Sequence, residues 1–220
     1  VKLKTLKYIY STTVFVLIFF NGFSQDQRTY GLRLGFDISR IPLYLMDPAV
    51  YGLEFSADFE AAENLYPAIE FGFNKFSIER ENYDYASQGN YFRLGADYNI
   101  LKLDAKDQYE MAFIGIRYAY SSLTHSADNI HIPESYWGDY TGMVPKEPIN
   151  AHWIEFTLGL RAEIFKNIFM GWSFRGRLML YKNKENIIDI CNIPGYGKGK
   201  NNSSIGFNYS VYYKIPMLRK

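Results

Sequence analysis

The chain has 220 residues, with 24 Lys and Arg against 23 Asp and Glu, one cysteine and 18% aromatic residues. This near-neutral balance and a mean hydropathy of −0.22 exclude a helical membrane protein with several spans, a strongly basic nucleic-acid binder, a disordered chain and a disulfide-rich miniprotein. What stands out is the 20 Tyr, 17 Phe and 3 Trp, an excess whose placement the averages conceal.

At the amino terminus, Lys2, Lys4 and Lys7 precede an apolar stretch over 8–20, and Gly22-Phe23-Ser24 supplies a small-x-small cleavage pattern. This predicts a secretory signal peptide over 1–24, cut between Ser24 and Gln25. Its apolar core falls short of the roughly 20 residues that a membrane-spanning helix needs. Removing 1–24 takes away three lysines and no acid, so the formal charge goes from +1 to −2. Cys191, alone in an exported chain, can form no internal disulfide, and it lies far from the cleavage junction, so no lipidated cysteine is expected there.

From Tyr30 onward, period-two alternation predicts eight strands, over 30–39, 51–60, 68–78, 91–100, 109–120, 152–164, 169–181 and 204–215. One parity is apolar throughout, as in Leu32-x-Leu34-x-Phe36, Ile154-x-Phe156-x-Leu158-x-Leu160 and Ile205-x-Phe207-x-Tyr209. The other carries Arg33, Asp37, Glu54, Asp58, Glu70, Arg93, Asp97, Arg117, Glu155, Arg161, Glu163, Arg175, Arg177 and Lys214, with one glycine in every strand: Gly35, Gly52, Gly72, Gly95, Gly115, Gly159, Gly171 and Gly206.

Alternation alone does not say which face points inward. A solvated face has no steric need for a glycine in each strand, whereas the narrow interior of an eight-stranded barrel must alternate small residues with large. The cations on the polar parity are six arginines and one lysine. Arginine's planar fork suits a confined network of carboxylates. The polar parity is therefore predicted to form a salt-bridged interior, and the bulky parity to meet lipid. Aromatic girdles are then expected at Tyr30, Tyr51, Tyr91, Tyr98, Tyr109, Tyr118, Tyr120, Trp153, Trp172, Tyr181 and Tyr213. The first, third, fifth and seventh connections are longer than their neighbours. That predicts both termini in the periplasm and four external loops, the largest at 121–151 and 182–203. Ile132-Pro133, Val144-Pro145, Glu147-Pro148 and the Gly195–Gly199 run read as loop punctuation within them.

With its leader, its eight alternating segments and the closing run Ser204–Lys214, the mature chain resembles the small eight-stranded outer-membrane β-barrels. The Gly22–Gln25 junction, the Tyr/Phe richness and Gly-Ile-Arg-Tyr-Ala-Tyr at 115–120 are most similar to uncharacterised outer-membrane barrel families of Bacteroidota. The resemblance implies an all-β, antiparallel up-and-down transmembrane barrel in the cell outer membrane, assembled by the barrel-assembly machinery. Its surroundings would be outer-membrane lipid and lipopolysaccharide, and for most such families no chemistry is known.

Candidate chemistry is sparse. The histidines are His125, His131 and His152, all in or beside the third external loop, 121–151. Outer-membrane lipid A deacylases use a His and a Ser two apart on one strand, whereas His125 and Ser126 are adjacent and would face opposite sides. The histidine spacings fit no defined metal pattern, and Cys191 has no His near it in sequence. Lys198 and Lys200 sit where anionic lipopolysaccharide head groups could be met. No catalytic residue, cofactor, metal or nucleic acid is expected. The expectation is a monomeric, non-enzymatic barrel serving structurally or in binding through its external loops. The rival readings are a soluble secreted or periplasmic barrel holding an apolar ligand, and a barrel enzyme that modifies lipid A.

Overall fold

The computed structural model describes residues 31–40, 49–101, 109–133, 138–183 and 188–216. The predicted signal segment with its Ser24–Gln25 junction, and Tyr30, lie outside the described residues. The strands are β1 (Gly31–Asp37), β2 (Val50–Phe59), β3 (Leu65–Arg80), β4 (Tyr83–Asn99), β5 (Met111–Ile132), β6 (Tyr140–Phe165), β7 (Ile168–Lys182), β8 (Asn192–Ile193), β9 (Gly197–Lys198) and β10 (Ser203–Pro216). Eight of them close into an antiparallel barrel in the order β1-β10-β7-β6-β5-β4-β3-β2, and β8–β9 form a small hairpin inside the connection from β7 to β10. The seam runs from Gly31↔Pro216 to Asp37↔Ser210, so the ring leaves no open edge there.

The outer surface carries the apolar parity: Phe55, Phe71, Leu94, Ile116, Leu158, Phe174 and Phe207 are each 49–52% exposed. Of the expected girdle, Tyr51, Tyr98, Tyr118, Tyr120, Tyr181 and Tyr213 are exposed on that surface. Tyr91 and Trp153 are not: both are buried inside, on the parity of Arg93 and Glu155. Glu163, which the alternation groups with the interior acids, is half-buried at a turn instead. Its Oε1 accepts the backbone N–H of Asn167 at 2.7 Å, and Asn167 has a left-handed backbone (φ 65°) that lets β6 turn tightly into β7.

The largest departure concerns the connections. Residues 121–151, expected as an external loop, are mostly strand, because β5 runs on to Ile132 and β6 begins at Tyr140. Similarly β3 and β4 meet across Glu81 and Asn82. The strands β3 to β6 have 16, 17, 22 and 26 residues against 7, 10, 15 and 14 for β1, β2, β7 and β10, so four strands project past the ring as a wall. The alternation persists there with changed polarity: Ser122, Thr124, Ser126 and Asp128 point outward and Leu123, His125 and Ala127 inward. Pro145 and Pro148 fit because β6 has no β7 partner before Ala151, and proline's missing N–H is harmless on an edge. A register shift between His125 and Ala127 takes up Pro145 and Lys146.

Close approach explains the inward glycines. A Cβ on Gly95 would collide with the backbone carbonyl of Ile116 on β5, whereas one on Gly176, which faces outward, meets nothing within 4 Å. Gly95→Val should therefore lower folding stability by about 1–3 kcal/mol. Gly176→Val should leave it near the wild-type value. Urea unfolding followed by circular dichroism compares the two.

Candidate functional site

The interior is layered. At the end of the ring where Gly31 pairs with Pro216, Tyr66, Met111 and Phe113 form a small apolar cluster. Above it lies the charged layer, in which six buried arginines (Arg33, Arg93, Arg117, Arg161, Arg175 and Arg177) lie among six buried acids (Asp37, Glu54, Asp58, Glu70, Asp97 and Glu155), and Lys214 is buried as well. Asp58 is held by Arg33 Nε at 2.6 Å and Arg161 Nη1 at 3.0 Å, and Arg161 stacks over the Tyr212 ring at 4.0 Å. Arg117 Nη2 reaches Asp97 at 2.8 Å. Arg93 is central: Nη1 lies 2.9 Å from both Glu54 Oε2 and Glu70 Oε2, and Nε lies 2.9 Å from Glu155 Oε1. Arg175 bridges the same three acids. Buried charges are tolerable only when paired in this way.

Two further donors feed the network. Tyr91 Oη donates to Glu54 Oε2, and Trp153 Nε1 donates to Glu155 Oε1, both at 2.6 Å. Their inward parity was readable in the sequence, but aromatic residues near strand ends resemble girdle residues. Asp37 accepts from Asn208 Nδ2 at 2.6 Å and caps Ser39, and Arg40 joins it from the loop side, 3.4 Å away. Lys214 stacks over Tyr109, 2.9 Å from the ring centre.

The seventh connection, between β7 and β10, expected as the fourth external loop with a flexible glycine-rich tip, folds back into the mouth of the ring. Ile190, Ile193 and Tyr196 are fully buried against Tyr91, Ala119, Leu123, Ile149, Ala151 and Trp153. Arg93 Nη2 donates to Gly195 O at 2.8 Å and Arg177 Nη1 to Tyr196 O at 3.0 Å. Gly195 has φ of +77°, and a Cβ there would strike the Tyr91 ring, so both the turn and the close approach require glycine. Ser87 Oγ donates to Asn192 O at 3.1 Å, and the Cys191 N–H donates to Tyr85 Oη at 3.1 Å. Burial, with Asp189 nearby, pushes the Cys191 thiol up, which keeps it protonated and unreactive at neutral pH.

The histidines do not converge. His125 is buried beside Tyr85, with Nε2 3.9 Å from Glu147 Oε2, while Ser126 faces the other way. His152 lies on the outer surface among Tyr118, Tyr120 and Tyr181, in a short hydrogen bond with Tyr118 Oη. Among the described residues, no group of three His, Cys, Asp or Glu side chains could hold a metal ion.

A family model, described as a domain of unknown function (DUF6048), matches residues 5–220, so the chain belongs to the DUF6048 family. No curated protein matches it.

Arg93→Met removes the partner shared by Glu54, Glu70 and Glu155 and should destabilise by about 3–5 kcal/mol. Adding Glu155→Gln should cost less than the sum of the two single losses, by about 0.5–3 kcal/mol of coupling. Urea unfolding read by tryptophan fluorescence measures the cycle, and strictly additive losses would contradict the shared bridge.

Proposed function

We propose that the protein is a plugged outer-membrane β-barrel without enzymatic activity, whose ring sits in lipid and whose β3–β6 wall projects outside as a structural or binding element. The observation that carries this reading is where the outward apolar band stops. On β5 it runs through Ala112, Ile114, Ile116, Tyr118 and Tyr120 and then changes to Ser122, Thr124 and Ser126. β4 changes from Phe92 to Asn90 and β6 from Ile154 to His152 and Asn150. These changes are level across the sheet, since Phe92 pairs with Tyr120 and Tyr120 with His152, while Asn90 pairs with Ser122 and Ser122 with Asn150. The Tyr118–Tyr120–His152–Tyr181 cluster lies along that line, as an interfacial aromatic belt would. The band below it is 9 residues tall on β5, within the roughly 9–11 that a tilted membrane strand uses.

On this reading the termini face the periplasm, the chain is a monomer inserted by the barrel-assembly machinery, and its neighbours are outer-membrane lipid and lipopolysaccharide. A soluble barrel holding an apolar ligand in its centre is disfavoured, since the charged layer leaves a cavity of only about 20 Å3 among Asp58, Glu70, Arg117, Arg161 and Arg175. That is room for a single water.

Leu158→Arg, in the middle of the band, should cost about 2–4 kcal/mol of insertion energy and prevent membrane assembly. Gln88→Arg, outward on the wall above the band, should assemble normally. Extraction from membranes, with gel mobility before and after boiling, reads both. A wild-type chain that stays monodisperse without detergent would sink the membrane reading.

A further inference from the structure

Between the folded connection and the ends of β2 and β3 lies a cleft of about 590 Å3, within the range of roughly 300–1,000 Å3 typical of small-molecule sites. It lies at the end of the ring away from the Gly31–Pro216 pair, and three kinds of surface line it. Val50, Phe76 and Ile190 are apolar. Arg40, Arg177, Lys198 and Lys200 are cationic, against the single acid Asp189. The third surface is amide, from Asn74, Asn192 and Asn201.

Two of the cations are committed. Arg40 lies beside Asp37 and Glu54, and Arg177 bonds Glu155 and Tyr196 O. The lysines are available: Lys200 meets only the exposed Asp189, at 3.8 Å, and among the described residues no acid pairs with Lys198. Asn74 points inward from β3 and is 5% exposed, yet its Oδ1 has no hydrogen-bond partner among the described residues. A buried carbonyl left unpaired is unfavourable and calls for a donor.

We propose that this cleft binds an acidic sugar, a mono- or disaccharide carrying a carboxylate or phosphate. A sugar ring offers C–H surface to Phe76 and Val50, hydroxyl donors to Asn74 Oδ1, and its anion to Lys198 and Lys200. An apolar ligand would leave Asn74 unanswered, and a bare anion would leave the apolar wall unused. The inference rests on the cleft alone and holds whether the ring lies in lipid or in water, so its test is separate from the membrane tests.

Calorimetric titration of the folded full chain with galacturonic acid, glucose 6-phosphate, glucose and inorganic phosphate decides it. The two charged sugars should bind saturably, with glucose and inorganic phosphate weaker by about tenfold or more. Lys198→Glu with Lys200→Glu, both at exposed positions, should weaken the charged sugars by about tenfold and leave thermal unfolding unchanged. Asn74→Leu should weaken charged and neutral sugars alike; if that variant fails to fold, the lysine pair carries the decision. Purified lipopolysaccharide in the same detergent separates the sources, since competition assigns a lipid-linked sugar and its absence a free one. No saturable binding of either charged sugar, inorganic phosphate binding as tightly as glucose 6-phosphate, or indifference to the lysine substitutions would each overturn the proposal.

Discussion

Arg93 reaches from β4 to Glu54 on β2, Glu70 on β3 and Glu155 on β6, and Arg175 on β7 meets the same three carboxylates. No two-strand fragment can assemble that set. An isolated hairpin of β3 and β4 would bury Glu70 with a single guanidinium, and the other two acids exist only on more distant strands. Because each charge is costly until its partners arrive, the interior favours the closed ring over partly paired sheets. The arginine fork matters here, since it spreads its N–H donors over three nitrogens of a rigid plane, whereas lysine carries its three on a single nitrogen.

The same interaction positions the folded connection. Each guanidinium has five N–H donors, more than the carboxylates around it absorb, and the remainder need acceptors in a space with little room for water. Gly195 O and Tyr196 O supply them to Arg93 and Arg177. On its other side the connection sets Ile190, Ile193 and Tyr196 against the apolar inner surface of the wall. It is anchored below by charge and beside by apolar burial, and the cleft exists because it covers only part of the mouth.

The strand pattern was legible because one constraint acted uniformly below Tyr120: apolar outside, charged or small inside. The location of each ring strand, the glycine on the crowded face and most of the charged layer follow from that parity. Reading it more strictly would have placed Tyr91 and Trp153 inside, since each shares the register of an interior charge two residues away. Glu163 shares that parity too, yet it lies where β6 ends and a local turn captures its side chain, a competition that periodicity does not register. The wall was missed for a different reason. A search for apolar residues on the outward parity stops at Tyr120, although the strand does not. The inward fold of 188–201 rests on partners such as Arg93, 102 residues from Gly195, which no local pattern reveals.

Along β4, β5 and β6 the two faces exchange character at nearly the same level. Below it, Phe92, Ile116 and Leu158 face out while Arg93, Arg117 and Glu155 face in. Above it, Gln88, Thr124 and Asn150 face out while Tyr85, Leu123 and Ile149 face in. On the proposed membrane reading, two surroundings act on one continuous strand: the lower part puts its apolar side toward the outside, and the upper part packs its apolar side on a small inner core. Alternation of apolar with polar side chains along much of each strand also accounts for the bland whole-chain hydropathy.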